Sequence, residues 1–232
     1  MTEVQKNKKF KYYDTITIAF IVCLITANLG ATKLWQVGPL TLPGGIFVFP
    51  MLYVLNDILT EVYGFTASRR VIWIALYSYL FIALVLYAVV FLPPSDHWPH
   101  QEAFVQIFSI APRIFIASLG SYFIGELLNA SVISTLKIML EGRNFGLRAI
   151  LSTCVGAFIE TSIFASIAFG LKLPASYLLS MIFTLTALKV LYELAALPIT
   201  VKVTSYLKKT EDMDSYEKPS WHGVMGWSRP QD

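Results

Sequence analysis

Charged residues within stretches that are otherwise apolar enough for a bilayer include the acids Asp57, Glu61, Glu126, Glu160 and Glu193 and the bases Arg113 and Lys189. An ionised side chain at the centre of a span costs roughly 2.5 to 3.5 kcal/mol on insertion scales, so a span that carries one turns it towards a cavity or a partner. The acids outnumber the bases. The excess calls for protonation, for loop arginines reaching in, or for a bound cation. The densest stretch is FVFPMLYVLNDILTEVYGFTASRR, Phe47 to Arg70. On a helix Asp57 and Glu61 share one face, and Asn56 and Thr60 line the adjacent face. Carboxylates accept two parallel hydrogen bonds from a planar fork of donors, and aromatic side chains offer stacking faces. The inventory suits a flat polar heterocycle with adjacent N–H groups, or a cationic amine.

Several of these residues also have structural explanations. Glu61 lies about one turn from the end of its apolar stretch and is expected to pair Arg69 or Arg70, and Arg113 to snorkel to the outer interface. Lys189 and Glu193, at i and i+4, either pin each other or work as a functional pair. Asp57 and Glu160 lie deep on different helices with no base adjacent in sequence, and are read as site residues. Both are expected to face one cavity between the two halves of the chain. Other chemistries lack their residues. His97, His100 and His222 fall in loops or the tail, with no GxSxG or HExxH pattern, so nothing supports a catalytic centre. Pro99 breaks the spacing of Asp96, His97, His100 and Glu102, which read as a solvated loop rather than a metal site. Cys23 and Cys154 sit in apolar spans as small hydrophobes.

The elements that position these residues follow from composition. Hydrophobic residues make up 56% of the chain, above the roughly 45 to 50% of soluble domains, and they fall in long blocks. This predicts an all-α polytopic membrane protein: one transmembrane domain over residues 1–207, with six spans at about 14–30, 44–63, 71–92, 113–139, 147–171 and 176–207. A cytoplasmic tail, 208–232, is expected to be mobile or an interfacial anchor. The basic N-terminus before the first span is read as uncleaved.

Ala31 to Pro43 reads as a short turn-rich link, and Pro43-Gly44-Gly45 opens span two, which Pro50 is expected to bend. Gly64 to Arg70 reads as a tight loop. Ala103 to Ala111 is too short to cross and reads as interfacial or re-entrant. Lys172 to Ala175 reads as a hairpin loop. Span six as a straight helix exceeds about 40 Å, so it should tilt, kink at Pro198 or project.

Basic residues cluster in the N-terminal segment, at Arg69-Arg70, at Arg143 and Arg148, and at Lys208-Lys209. Alternate connections carry only Lys33 and Lys172. Both termini are therefore cytoplasmic. The net charge of +3 is orientation signal, not a nucleic-acid surface. Six spans divide as three plus three, and an odd repeat would be inverted; Asn28 with Asn129, and Asp57 with Glu160, occupy comparable places in the halves.

Several stretches in order resemble a known family. They are Phe49-Pro50, then Asn56-Asp57-Ile58-Leu59-Thr60-Glu61-Val62-Tyr63-Gly64 and Arg69-Arg70; Arg113-Ile114 with Ala117-Ser118 and Gly125-Glu126; Ser152-Thr153 with Gly156 and Glu160-Thr161; and Lys189-Val190-Leu191 with Pro198. Together, over roughly Asp14 to Leu207, the chain resembles the queuosine-precursor transporters of the vitamin uptake transporter family, six-span bacterial inner-membrane proteins. The family commonly has Asp where this chain has Glu160, which keeps the charge with a longer reach.

The resemblance implies import of 7-deazaguanine bases, such as preQ0, preQ1 or queuine, for tRNA modification, by a secondary transporter without a cofactor. On that basis Asp57 and Glu160 are the ligand carboxylates. Asn28, Asn56 and Asn129 are amide partners, with Thr60 and Glu126 in the same binding set, and Lys189 and Glu193 a gating or proton-linked pair. Acids at depth permit proton coupling and equally permit facilitated diffusion. The alternative is the substrate-binding component of an energy-coupling-factor vitamin transporter, also a small six-span protein. Such subunits dock through small residues in the first span, for which Ala27 and Ala31 are a poor match. No phosphate-binding loop occurs, so any ATP drive would come from another chain.

Overall fold

The computed structural model describes residues 10–37, 40–108, 112–170 and 174–219. Helix α1 is Tyr13–Gly30, and a β-hairpin follows, β1 Leu34–Val37 against β2 Leu40–Pro43. A short 3-10 turn, Gly44–Phe47, leads into α2, Phe49–Tyr63, and α3, Phe65–Val90. Then come α4, Gln101–Phe108, α5, Pro112–Met139, α6, Phe145–Phe169, and α7, Ala175–Glu211. Among the described residues six helices are long and apolar enough to cross a membrane: α1, α2 with its preceding turn, α3, α5, α6 and α7. α4 has eight residues, about 12 Å at 1.5 Å per residue, and cannot cross.

Three local expectations change and a fourth is narrowed. The Ala31 to Pro43 link is an antiparallel hairpin, pairing Leu34 with Pro43 and Val37 with Leu40, the one departure from an all-helical chain among the described residues. Pro50 sits in the first turn of α2, where its missing N–H costs no helical bond, so it starts the helix rather than bending it. The α2–α3 connection is Gly64 alone, at φ +92°, and Phe65 to Arg70 are already helical. That backbone setting suits glycine, and a Cβ there would also collide with Ser215 Oγ. Finally, α7 stays one helix through Pro198 for 37 residues, about 55 Å, which leaves tilt or projection to take up its excess over a core of about 30 Å.

α1, α2, α3 and α5 share an apolar core that includes Phe20, Leu24, Leu59, Tyr63 and Ile72. α7 is built the other way round. Its buried stripe includes Glu193, Thr200, Thr204 and Glu211, whereas Leu179, Phe183, Leu191 and Ile199 face outwards, towards lipid. Polar groups facing inwards are what a span shows when its protein-facing side does chemistry. The backbone N–H groups of Lys11 and Tyr12 donate to the Glu211 carboxylate at 3.0 and 2.7 Å. The start of α1 and the end of α7 therefore lie on one face, as cytoplasmic termini require.

Some expectations fall outside the described residues: the N-terminal Lys6, Lys8 and Lys9, the Lys172 loop, the Arg113 side chain, and the tail from 220 with Trp221, His222 and Trp227. The Pro93 to His100 segment is non-helical, and Asp96, His97 and His100 are exposed.

Candidate functional site

The site is built on α2, and its polar residues descend in steps of one turn. At the outer level the Tyr53 hydroxyl donates to Glu160 Oε2, and Lys189 Nζ donates to the same oxygen at 2.7 Å. The ammonium also lies over the rings of Phe49 and Tyr53, 5.2 and 5.4 Å from their centroids, in cation–π range. Beside this group Asn56 Nδ2 donates to Glu126 Oε2 at 2.5 Å and to the Glu126 carbonyl at 3.0 Å, while the Ser68 hydroxyl donates to Asn56 Oδ1. Asn56 thereby ties α2 to α3 and α5.

Two glycines let these acids stand so close. A Cβ on Gly125 would lie 2.6 Å from Glu160 Cβ, and one on Gly156 would lie 3.0 Å from Asn129 Cβ. Small residues at these crossings bring α5 and α6 into backbone contact, the usual device between helices in lipid. They set Glu160 and Asn129 on the same side as α2.

One turn further in, Asn129 Nδ2 donates to Asp57 Oδ1 at 2.7 Å. Asp57 Oδ2, Asn129 Oδ1, Thr60 Oγ1 and both carboxylate oxygens of Glu193 are buried without a hydrogen-bond partner. Asp57, Asn129 and Glu193 are completely buried.

At the cytoplasmic end the chemistry reverses. Arg148 Nη2 donates to Glu61 Oε1 at 3.0 Å and Nη1 to Oε2 at 2.5 Å, a bidentate pair with no solvent exposure on the arginine. Lys208 reaches the same carboxylate at 2.5 Å and Lys137 at 3.5 Å, and both also contact Asp214. Burial alone pushes the Asp214 carboxyl up, but the two lysine ammonium groups outweigh it and hold it below its ordinary value.

Several sequence expectations are corrected here. Glu61 is met by Arg148, Lys137 and Lys208 in place of Arg69 or Arg70. Lys189 does not pair Glu193; it takes Glu160 from α6. Asp57 and Glu160 do not share partners, each heading its own cluster. Asn28 is not brought to the group. It donates to the Leu24 carbonyl at 2.8 Å, accepts from the Ser118 hydroxyl at 3.1 Å, and lines a separate cavity of about 210 Å³ with Ile25, Tyr79, Tyr87 and Phe115.

The tail is docked as far as it is described. Ser215 N–H donates to the Val62 carbonyl at 3.3 Å, and Thr66 N–H to Glu217 Oε2 at 2.7 Å. The Lys137 ammonium sits 4.6 Å from the Tyr216 ring centroid. Residues missed from sequence are Tyr53, Lys137, Arg148, Lys208 and Asp214. Two had a signal: Tyr53 is four residues before Asp57, on its face of the helix, and Lys137 lies inside the bounds of the fourth span.

Residues 43–203, from the turn before α2 through most of α7, match the family model described as "Putative vitamin uptake transporter". The chain is 27% identical over 175 residues to the "Probable queuosine precursor transporter" of Bacillus subtilis (strain 168), covering 75% of this chain and 76% of that one. It is 26% identical over 150 residues to the "Queuosine precursor transporter" of Escherichia coli (strain K12), covering 65% and 61%. For a Haemophilus influenzae relative also named a "Probable queuosine precursor transporter" the figures are 25% over 125 residues, 54% and 51%, so the match spans about half of that protein. No solved structure matches the chain.

Proposed function

The chain belongs to the vitamin uptake transporter family, and from that premise we propose that it imports queuosine precursors, 7-deazaguanine bases such as preQ0, preQ1 or queuine, across the bacterial inner membrane as a secondary transporter. The observation that carries the reading is the outer cluster of α2: two buried carboxylates, Glu160 and Glu126, beside the aromatic faces of Phe49 and Tyr53.

A guanine-like edge presents N1–H and a 2-amino group in one plane. Glu160 accepts that fork once Lys189 swings aside, and the rings bracket the flat heterocycle. Asn56 and Glu126 complete the set. Asp57, one turn deeper with Asn129 and Thr60, pairs the ammonium of an aminomethyl base. Asn28, in its separate cavity, is left out of the binding set.

The test is a host unable to make queuosine precursors, expressing this chain and supplied with each base in turn, with its tRNA assayed for the modification. At least one base is expected to restore it, and failure of all of them overturns the assignment. Purified protein in liposomes without any ATPase should take up that base. Glu160→Gln should slow uptake about tenfold to a hundredfold, since a hydrogen bond to a charged group is worth roughly 1.5 to 3 kcal/mol.

A further inference from the structure

Buried charge is divided unevenly among these clusters. Glu160 has Lys189, and Glu61 has Arg148 and Lys208. Asp57 and Glu193 are fully buried and, among the described residues, make no ion pair. Asp57 Oδ2 and both oxygens of Glu193 also lack a hydrogen-bond donor. Two ionised carboxylates cannot persist in that setting, whereas a proton removes charge and turns an orphaned acceptor into a donor.

Helix geometry brings the two acids to one level. α2 and α7 both run from the outer side to the cytoplasmic side and pack against each other. Lys189 of α7 lies over Tyr53 of α2. Asp57 follows Tyr53 by four residues, and Glu193 follows Lys189 by four. The same step, about 6 Å along two helices of like direction, carries both carboxylates one turn deeper.

Asn129 supplies an independent sign. Its Nδ2 is spent on Asp57, and its Oδ1, buried beside the acids, has no donor. The other charges facing the pair are Glu126 of α5, Glu160 of α6 with its partner Lys189, and Glu61 further along α2 with its own bases.

We propose that Asp57 and Glu193 form a proton-binding dyad that shares one proton between its carboxylates, and that this proton is the coupling ion of transport. The proposal rests on the transport reading above. One carboxyl donates its O–H to the other, leaving a single negative charge between them. That charge is free to pair the ammonium of an aminomethyl base, so proton and substrate cation can be carried together. A calcium ion fits less well: Asp57 Oδ2, Thr60 Oγ1, Asn129 Oδ1 and the two Glu193 oxygens make five oxygens, where calcium takes six to eight.

Two measurements decide it. The first needs no substrate: infrared titration of the purified full chain, following the carbonyl band of protonated carboxyl groups. Coupled sites interact by more than about one pK unit, so Glu193→Gln and Asp57→Asn should each move the band's midpoint by at least that much. A midpoint unmoved by either variant overturns the dyad. The second uses proteoliposomes and a labelled 7-deazaguanine base. A pH gradient, acid outside, should drive accumulation in the wild type. Glu193→Gln should lose accumulation driven by the gradient, and Glu193→Asp, which restores a carboxyl, should recover it. Accumulation driven by sodium instead, or left intact in Glu193→Gln, overturns the proposal. Wild-type liposomes that exchange no base defeat the transport reading, and the infrared result then still decides the dyad.

Discussion

Lys189 has two acids within reach, and which one it takes decides the character of both. Glu193 is the neighbour at i+4, the spacing that stabilises helix pairs in water. The ammonium nevertheless goes to Glu160 at 2.7 Å, over the faces of Phe49 and Tyr53. Three features favour that choice: the Tyr53 hydroxyl has already fixed the Glu160 carboxylate in place, the rings add cation–π attraction, and Glu193 lies on the buried stripe of α7 while Lys189 keeps 16% of its side chain exposed. Removing one partner of a buried pair costs about 3 to 5 kcal/mol. Because Lys189 is partly exposed, Lys189→Met should fall at the lower end, about 3 kcal/mol, in denaturant unfolding of the protein in detergent. Adding Glu160→Gln should recover part of that loss, since the uncompensated charge is then gone. A double variant no more stable than Lys189→Met alone would show that the ammonium acts through packing against the rings.

At the scale of elements, the α5–α6 crossing holds the site together. Gly125 and Gly156 let the two backbones touch, and through them Glu160 and Asn129 reach α2. Gly125→Ala places a methyl group 2.6 Å from Glu160 Cβ, an atom that cannot move without its helix. Such overpacking typically costs about 1 to 3 kcal/mol, and uptake should fall further than stability because Glu160 is displaced. Thermal stability and uptake measured on the same preparation test this, and unchanged uptake would show that the crossing has slack. These contacts also mark where sequence reading ends. Six spans are legible because bilayer thickness sets the length of an apolar block, and Asp57, Glu160 and Glu193 are legible because an acid inside such a block is conspicuous. Their partners are not. Arg148 reads as loop charge, yet it is the fourth residue of α6 and fully buried, with its guanidinium on Glu61 and on the carbonyls of Gly142 and Arg143.

Across the whole molecule charge is graded along the membrane normal. The interior is acid-rich, with Asp57, Glu126, Glu160 and Glu193 against Lys189, and the cytoplasmic end is base-rich, with Arg148, Lys137 and Lys208 against Glu61 and Asp214. A docked segment of the tail covers that basic end, although it reads in sequence only as a charged extension. Its fixing point is Asp214, which meets two lysines, and Ser215 and Glu217 then bond the α2–α3 turn. The folded-state value of Asp214 is depressed, so its contribution to docking is present above the ordinary carboxylate value and is lost as pH falls through the lower folded value. Docking should therefore hold at neutral pH and weaken only below about pH 4. Hydrogen exchange of the Ser215 and Thr66 amides, corrected for the intrinsic effect of pH, reads this directly. Both are expected to be protected at pH 7 in the wild type and to exchange faster in Asp214→Asn at the same pH. Equal protection in that variant would assign the docking to Glu217 and Tyr216 instead of Asp214.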